Sequence, residues 1–163
     1  VLTPAFTAGR LTALEAPLAN KFYRKHCFRG KAKRYETCAV IRDNSKVIIS
    51  CVYLRRYVFK ECVLRECNLK QHSEKECLLF RLLAGVAVAP EYQGQGVSRL
   101  LLRTLAPRFD HLTYTFPYLH LQPFHETLGL NGVDSMLQSP LVNRVYQRYK
   151  SQGRSIVMMI YGR

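Results

Sequence analysis

The spacing of apolar residues predicts four helices along the chain. Val97, Leu101 and Leu105 recur at intervals that place them on one helical face, and Pro107 ends that helix because proline cannot continue it. Gly129 and Gly153 follow two of the other patterns, as glycine does at helix ends. The predicted helices cover residues 18–26, 97–106, 123–128 and 140–152.

Apolar runs between turn signals predict the strands of a sheet. The turn formed by residues 43–45 (Asp-Asn-Ser) separates two runs rich in strand-forming residues, which predicts an antiparallel hairpin. The polar segment 59–75 is either an extension of this hairpin or an insertion. The run 78–89 is almost continuously apolar, as expected of a central strand buried on both faces. The predicted strands cover residues 35–41, 47–57, 78–89, 111–117, 131–137 and 155–161.

The order of these elements predicts an α/β (α+β) fold, in which helices pack on a mixed sheet. The 163 residues are enough for one buried core, so we expect a single domain over residues 1–163. The longest apolar stretch, 78–90, contains Arg81 and is too short to span a bilayer. The N-terminus lacks the basic-then-apolar order of a signal peptide. We therefore expect a cytoplasmic protein with no membrane partner, either a monomer or a homodimer.

The charge balance is strongly basic. The chain has 25 Lys and Arg residues against 11 Asp and Glu residues, for a formal net charge of +14. Such an excess favours anionic partners through long-range attraction. The basic residues are spread along the chain and form no single run, and a phosphorylated cofactor would need only a few of them. Nucleic acid, an acidic substrate and solubility all remain open as roles for the others.

The six cysteines are expected to be reduced, because the chain is large enough to fold without disulfides. Cys38 and Cys51 lie in apolar strand-like runs, where cysteine behaves as a small apolar residue. Four metal-binding side chains also recur at intervals of five residues: Cys62, Cys67, His72 and Cys77. They could close a tetrahedral zinc site, and the alternative is a polar hairpin extension that carries free thiols.

The strongest local signal is the glycine-rich segment Gln93-Gly94-Gln95-Gly96-Val97-Ser98. It follows a predicted buried strand that ends at Pro90, and it precedes a leucine-rich helix. Glycines let the backbone approach a ligand closely, and the free amides and dipole of a helix start attract anions. A dinucleotide fingerprint is excluded because Arg99 stands where a small residue is needed, and the chain has no Gly-Lys-Ser/Thr for a P-loop. The segment therefore predicts a phosphate site built from main chain.

Two sequence blocks resemble the motifs of one known protein family. The first is Gln93-x-x-Gly96-x-Ser98, in which Ser98 stands where the family usually has Gly or Ala. The second, residues 124–130 (FHETLGL), resembles the helix that usually ends Leu/Phe-Tyr-x-x-x-Gly-Phe in the same family. That family is the GNAT superfamily of acetyl-CoA-dependent N-acetyltransferases. The resemblance implies a mixed, mostly antiparallel sheet with a splayed pair of parallel strands, flanked by helices.

The resemblance also implies acetyl-CoA as co-substrate and an amine as acceptor. The pantetheine arm of the CoA thioester would lie between the strands 82–89 and 111–117, and the backbone N–H of Val88 would donate to the thioester carbonyl. The resemblance places the coenzyme against nine residues: Val86, Val88, Gln93, Gly94, Gln95, Gly96, Val97, Ser98 and Arg99. The acceptor would be a primary amine of a small molecule or an amino-acid derivative.

The catalytic groups depart from the family pattern. His125 stands where the family commonly has a tyrosine acid. His120 follows the second splayed strand and is the other candidate acid or base, and Tyr118 and Tyr114 could take its place. The carboxylate base often found on the first splayed strand is missing, since only Glu76 precedes that strand. A macromolecular amine, on aminoacyl-tRNA or protein, and a non-catalytic acyl-CoA-binding protein remain as alternatives.

Overall fold

Seven strands form one sheet in the computed structural model, which describes residues 5–62 and 74–162. Their order across the sheet is β1-β2-β3-β4-β5-β7-β6, and every neighbouring pair is antiparallel except β4 and β5. The strands are β1 (Thr7–Leu11), β2 (Thr37–Arg42), β3 (Ile48–Cys62), β4 (Glu74–Val88), β5 (Thr113–Thr115), β6 (Leu130–Gly132) and β7 (Met159–Tyr161). The helices are α1 (Ala16–Lys25), α2 (Val97–Leu105), α3 (Gln122–Glu126) and α4 (Pro140–Lys150). This is the mixed, mostly antiparallel fold that the sequence predicted.

Helices cover both faces of the sheet. Side chains alternate between faces along a strand, so neighbouring residues of β2 pack against different helices. Cys38 and Val40 share a core cluster with α1, whereas Ala39 and Ile41 share one with α2. Helix α4 packs on Leu82 of β4. The next residue, Leu83, faces the other side of the sheet and packs in the cluster of α2. Helices α1 and α4 therefore lie on one face and α2 on the other.

The predicted hairpin is confirmed. Strands β2 and β3 pair antiparallel, and the Asp43 carboxylate accepts hydrogen bonds from the N–H groups of Ser45 and Val47, at 2.9 and 3.0 Å. Strand β3 then pairs with β4 from Ser50–Val88 to Cys62–Glu74. The described ends of the polar segment 59–75 therefore lengthen β3 and β4, which form a second hairpin. They do not extend the β2–β3 hairpin, which was one of the two interpretations of that segment.

The zinc hypothesis falls largely on residues outside the description. Cys67 and His72 lie in the segment 63–73, and only the backbone is described at Cys62 and Cys77, so this site stays a prediction. Within the described residues, no group of three or more His, Cys, Asp or Glu side chains is arranged to hold a metal ion. Two buried free cysteines lie in the core, where burial raises the pKa of the Cys38 thiol to about 12 and that of Cys51 to about 11.

Some element boundaries differ from the prediction. Strand β1, which pairs only with β2, was not predicted. Residues 131–137 form a short strand and then a single 3₁₀ turn rather than one strand, and the predicted strand 111–117 is regular only over β5. Strand β4 is not buried throughout, since Leu79 and Val86 are exposed. No helix in the described part of the chain has the length and apolarity needed to cross a bilayer.

Candidate active site

The parallel strands β4 and β5 separate along their length. They pair from Arg81–Thr113 to Leu83–Thr115, where the Thr115 hydroxyl donates to the Leu83 carbonyl at 3.1 Å. Strand β4 continues to Val88 against β3, whereas the chain after β5 turns away and pairs at Tyr118 with Ile156. A gap therefore opens in the sheet beside residues 84–88, as expected for a splayed strand pair.

A β-bulge at Gly85 shapes the β4 side of this gap. Three steps along β4, from Ala84 to Ala87, face two steps along β3, from Tyr53 to Cys51. Gly85 has φ of 67°, and a Cβ there would collide with the ring of Tyr53. The Tyr23 hydroxyl donates to the Gly85 carbonyl at 2.6 Å and fixes the bulge from helix α1. Bulges re-aim the residues that follow them, which here are the strand residues beside the gap.

The backbone N–H of Val88 faces the gap. Val88 lies opposite Ser50, and the neighbouring N–H of Ala89 donates to the Ile49 carbonyl at 2.8 Å. Hydrogen-bonded and non-hydrogen-bonded pairs alternate along an antiparallel ladder, so Val88 is a non-hydrogen-bonded position whose polar groups point away from β3. Its carbonyl accepts from the Gln93 side-chain amide at 3.1 Å. Gln93 thereby links the glycine-rich loop to the edge of β4 from which the Val88 N–H points into the gap.

The glycine-rich loop turns through two left-handed residues before helix α2. Gly94 and Gly96 have φ of 76° and 78°, a region that other residues enter only at a cost. A Cβ built at either glycine would meet no protein atom within 4 Å. The loop backbone is thus open to a ligand. The side chain of Gln95 does not face the groove described below, because it folds back to donate to the Glu91 carbonyl at 3.0 Å.

The start of helix α2 is left without a side-chain cap. Gly96 is its N-cap residue and supplies no side-chain acceptor, and no acidic residue lies in the first turn. The amides of Val97, Ser98 and Arg99 precede the first intrahelical bond, which runs from Leu100 to Gly96 at 3.2 Å. Exposed Arg99 adds a positive charge beside them. Free amides, the helix dipole and this guanidinium make this helix start electropositive, as a candidate anion site requires.

A groove with a volume of about 1540 Å³ joins this anion site to the gap between β4 and β5. Eight of the nine predicted coenzyme residues line it: Val86, Val88, Gln93, Gly94, Gly96, Val97, Ser98 and Arg99. Both predicted catalytic histidines, His120 and His125, line it as well. The sequence-predicted residues are therefore brought together along one surface, with Gln95 as the exception.

His125 is held in one tautomer. His125 is 3% exposed, and its Nδ1 lies 3.0 Å from the Leu121 carbonyl oxygen, which can only accept a hydrogen bond. Nδ1 therefore carries the proton, and Nε2 of the neutral ring is left as an acceptor. Burial lowers the pKa of His125, and the hydrogen bond to Leu121 only partly opposes that effect. The imidazole is accordingly neutral at pH 7, a state suited to accepting a proton.

The other candidate acid–base side chains have different surroundings. His120 is exposed at the groove and stacks on Tyr118, with ring centroids 6.0 Å apart. Tyr118 also lines the groove, but Tyr114 does not. Tyr114 is buried in the core, and its hydroxyl donates to the Gln138 side chain at 2.9 Å. As a proton donor to the groove, Tyr114 is therefore badly placed.

The groove also contains a basic and aromatic region that the sequence interpretation missed. It is formed by Arg29, Lys31, Tyr53, Arg55, Tyr57, Arg148, Tyr149 and Arg154. None of the described residues that line the groove is an aspartate or a glutamate. The net charge was the only sequence signal of this region, because its residues come from three distant segments.

Comparison with solved structures shows what this fold resembles. The ribosomal-protein-S18-alanine N-acetyltransferase from Escherichia coli matches with a TM-score of 0.54 and 17% identity, over 96% of this chain and 93% of that chain. N-acetylglutamate synthase from Neisseria gonorrhoeae, complexed with coenzyme A and N-acetyl-glutamate, matches with a TM-score of 0.58 and 13% identity, over 96% of this chain and 35% of that one. Arabidopsis thaliana NAA60 in complex with a bisubstrate analogue gives 0.55 and 10%, over 96% and 97%.

Sequence comparison gives no such match: no known family profile fits the chain, and no curated protein is significantly similar in sequence. Identities of 10% to 17% carry the likeness at the level of the fold. The splayed parallel pair, the glycine-rich loop and these structural matches agree with one another. The chain has the fold of the GNAT-type N-acetyltransferases.

Proposed function

We propose that this protein is an N-acetyltransferase that moves the acetyl group of acetyl-CoA to a primary amine of a small molecule or an amino-acid derivative. The observation that carries the proposal is the uncapped start of α2 at one end of a groove that leads into the gap between β4 and β5. An anion site continuous with a slot in a sheet fits a long molecule with phosphates at one end and a thioester at the other.

Coenzyme binding follows from the groove. The amides of Val97, Ser98 and Arg99 hold the diphosphate, and Gly94 and Gly96 let it approach the backbone. The pantetheine arm lies in the gap, where it replaces the strand partner that β4 lacks beyond Leu83. The N–H of Val88 donates to the thioester oxygen and stabilises the negative charge that develops there during attack.

Proton transfer falls to the two histidines. The acceptor enters as an ammonium ion, and Nε2 of neutral His125 removes one proton to expose the nitrogen lone pair. The nitrogen attacks the thioester carbon and the C–S bond breaks. Loss of the second proton from the nitrogen leaves the neutral acetylated amine and the CoA thiolate, and that proton is the one the thiolate has to receive. His120, exposed at the groove, is the candidate for protonating that thiolate. The missing carboxylate base is thereby replaced by an imidazole.

A turnover assay tests the proposal. Purified protein is incubated with acetyl-CoA and, in separate reactions, with amines, amino acids, polyamines and aminoacyl-tRNA, and released thiol is measured. We expect amine-dependent thiol release for a small-molecule amine or an amino-acid derivative. Release only with aminoacyl-tRNA would contradict the small-molecule acceptor. Tight coenzyme binding without release against the whole panel would contradict the enzymatic function.

A further inference from the structure

The basic–aromatic region, defined by the eight groove residues given above, lies on the sheet face opposite to the anion site of α2. Tyr53 packs in the core cluster of α1, and Tyr57 packs beside the cluster of α4. Arg55 shares their face because side chains alternate along β3. Arg148 and Arg154 come from the end of α4 and the segment after it. The gap between β4 and β5 therefore connects a coenzyme face with this second face, from which an acceptor reaches the thioester.

One arginine of the basic–aromatic region is already neutralised. Arg55 Nε lies 2.5 Å from a carboxylate oxygen of Glu36, whose side chain is fully buried, and Arg55 Nη2 donates to the Lys31 carbonyl at 2.9 Å. Arg148 and Arg154 have no such partner: neither forms an ion pair with a described carboxylate. The groove lining offers none either, because its described residues include no acid. Two guanidinium groups thus contribute uncompensated positive charge to the acceptor side.

Arg154 shows an unmet hydrogen-bonding requirement. Its Nε is buried and has no hydrogen-bond partner among the described residues. Its guanidinium stacks on the Tyr149 ring, 5.3 Å from the ring centroid. Stacking fixes the plane of the guanidinium. The unpaired Nε shows that no described residue satisfies this side chain, so an anion in the groove would give the guanidinium the partner that the protein does not. Planar, bidentate pairing with a carboxylate or a phosphate is the interaction for which arginine is best suited.

Tyrosines complete the environment of these cations. Burial raises the pKa of Tyr57, and Arg55 and Arg148 oppose that rise, so both guanidinium groups act on this hydroxyl. Burial likewise raises the pKa of Tyr53. The phenols therefore stay neutral and serve as hydrogen-bond donors, and they add no negative charge that would attract a polycation.

We propose that the acceptor amine also carries an anionic group, a carboxylate or a phosphate, which binds Arg154 and Arg148 while the amine faces the thioester. This inference rests on the proposed acetyl transfer and narrows its substrate class. The same charges disfavour polyamines and lysine-rich peptides, because such acceptors would bring further positive charge to a groove whose described lining residues include no carboxylate.

Matched acceptor pairs test the inference. Amino acids are compared with the corresponding amino-acid amides, O-phosphoethanolamine with ethanolamine, and spermidine represents polycations. We expect kcat/KM to be higher for the anionic member of a pair by roughly 10- to 100-fold, the range of a hydrogen bond to a charged group. The carboxylate and phosphate pairs show which anion the site prefers.

Variants connect that preference to the two arginines. Arg154→Gln is expected to remove most of the preference by raising KM for the anionic acceptor, with KM for acetyl-CoA unchanged, and Arg154→Lys to retain part of it. Arg148→Gln tests the same site if Arg154→Gln does not fold. Arg144→Gln is the matched control, because Arg144 is exposed on α4, the helix that carries Arg148, and does not line the groove.

The outcomes separate this inference from the proposed function. Acetylation of acids and amides at equal rates, or a preference that survives in both Arg154→Gln and Arg148→Gln, would overturn the inference alone. Absence of thiol release with every amine in the unmodified protein would overturn the proposed function and the inference with it.

Discussion

His125 Nδ1 lies 3.0 Å from the carbonyl oxygen of Leu121, one helical turn earlier in the chain. This contact fixes the tautomer, because a carbonyl oxygen accepts a hydrogen bond and cannot donate one. It also orients the ring so that Nε2 is the nitrogen left for chemistry. His125 is therefore suited to act first as a base and not as an acid, since its Nε2 lone pair is free and burial disfavours the protonated ring that an acid would need at the start.

Replacing His125 by Asn is expected to lower kcat by about 10²- to 10⁴-fold, the usual contribution of a general acid–base group. The asparagine amide retains a side-chain N–H near the position of Nδ1 and lacks the Nε2 lone pair. The measurement is steady-state kinetics with the acceptor found in the turnover assay. The control is His111→Asn, because His111 is exposed outside the groove. Equal kcat in both variants would remove His125 from the mechanism.

The pH dependence of kcat/KM is expected to reflect the lowered pKa of His125. Burial places that pKa below the ordinary value of 6.5, and the base works only when it is neutral. Activity is therefore present above the folded-state pKa and is lost as the pH falls through it. We expect the acid limb of kcat/KM to lie below pH 6.5 and to disappear in His125→Asn. An acid limb above that ordinary value would contradict a buried neutral imidazole.

Gly96→Ala tests the coenzyme loop. Gly96 has a φ of 78°, and an alanine held in this left-handed conformation costs about 1–2 kcal/mol of stability. The new methyl group would project into space that no protein atom occupies. We expect acetyl-CoA affinity to fall at least about tenfold, or ~1.4 kcal/mol, because the methyl obstructs the diphosphate. Gly162→Ala is matched in φ, at 75°, and in open space, and it should lose stability without losing affinity.

Gly85→Ala tests the bulge. The added Cβ would collide with the Tyr53 ring and lie 2.8 Å from the Tyr23 hydroxyl oxygen, at a residue whose φ is already positive. Backbone strain and overpacking together predict a loss of about 2–5 kcal/mol in the free energy of unfolding. Urea denaturation measures it. Gly9→Ala, where a Cβ meets nothing within 4 Å, should change stability by less than about 0.5 kcal/mol. Similar losses in both variants would show that the bulge needs no glycine.

Much of the fold follows from periodicity, and the parts that do not have physical reasons. The hairpin turn at Asp43 and the helix at Val97 were predictable because local residues determine them. Strand β1 was not predictable, since it is a largely exposed edge strand with Gly9 in its centre and little apolar alternation. The shortening of β5 to three residues depends on the chain turning away at Tyr118, which is a tertiary effect.

The candidate site divides in the same way. The coenzyme loop is contiguous in sequence, so its residues could be named in advance. The acceptor region brings together Arg55 from β3 and Arg154 from beyond α4, about a hundred positions apart in the printed sequence, and only the folded chain places them on one face. The buried, unpaired Nε of Arg154, from which we infer an anionic acceptor, has no sequence signature at all.

Calorimetric titration of the purified protein with acetyl-CoA tests the central claim most directly. If the backbone amides at the start of α2 hold the coenzyme diphosphate, titration gives saturable binding of one acetyl-CoA per chain, and Gly96→Ala weakens it while Gly162→Ala does not. Absence of any saturable association with acetyl-CoA or free CoA, in protein that unfolds cooperatively, would contradict the account.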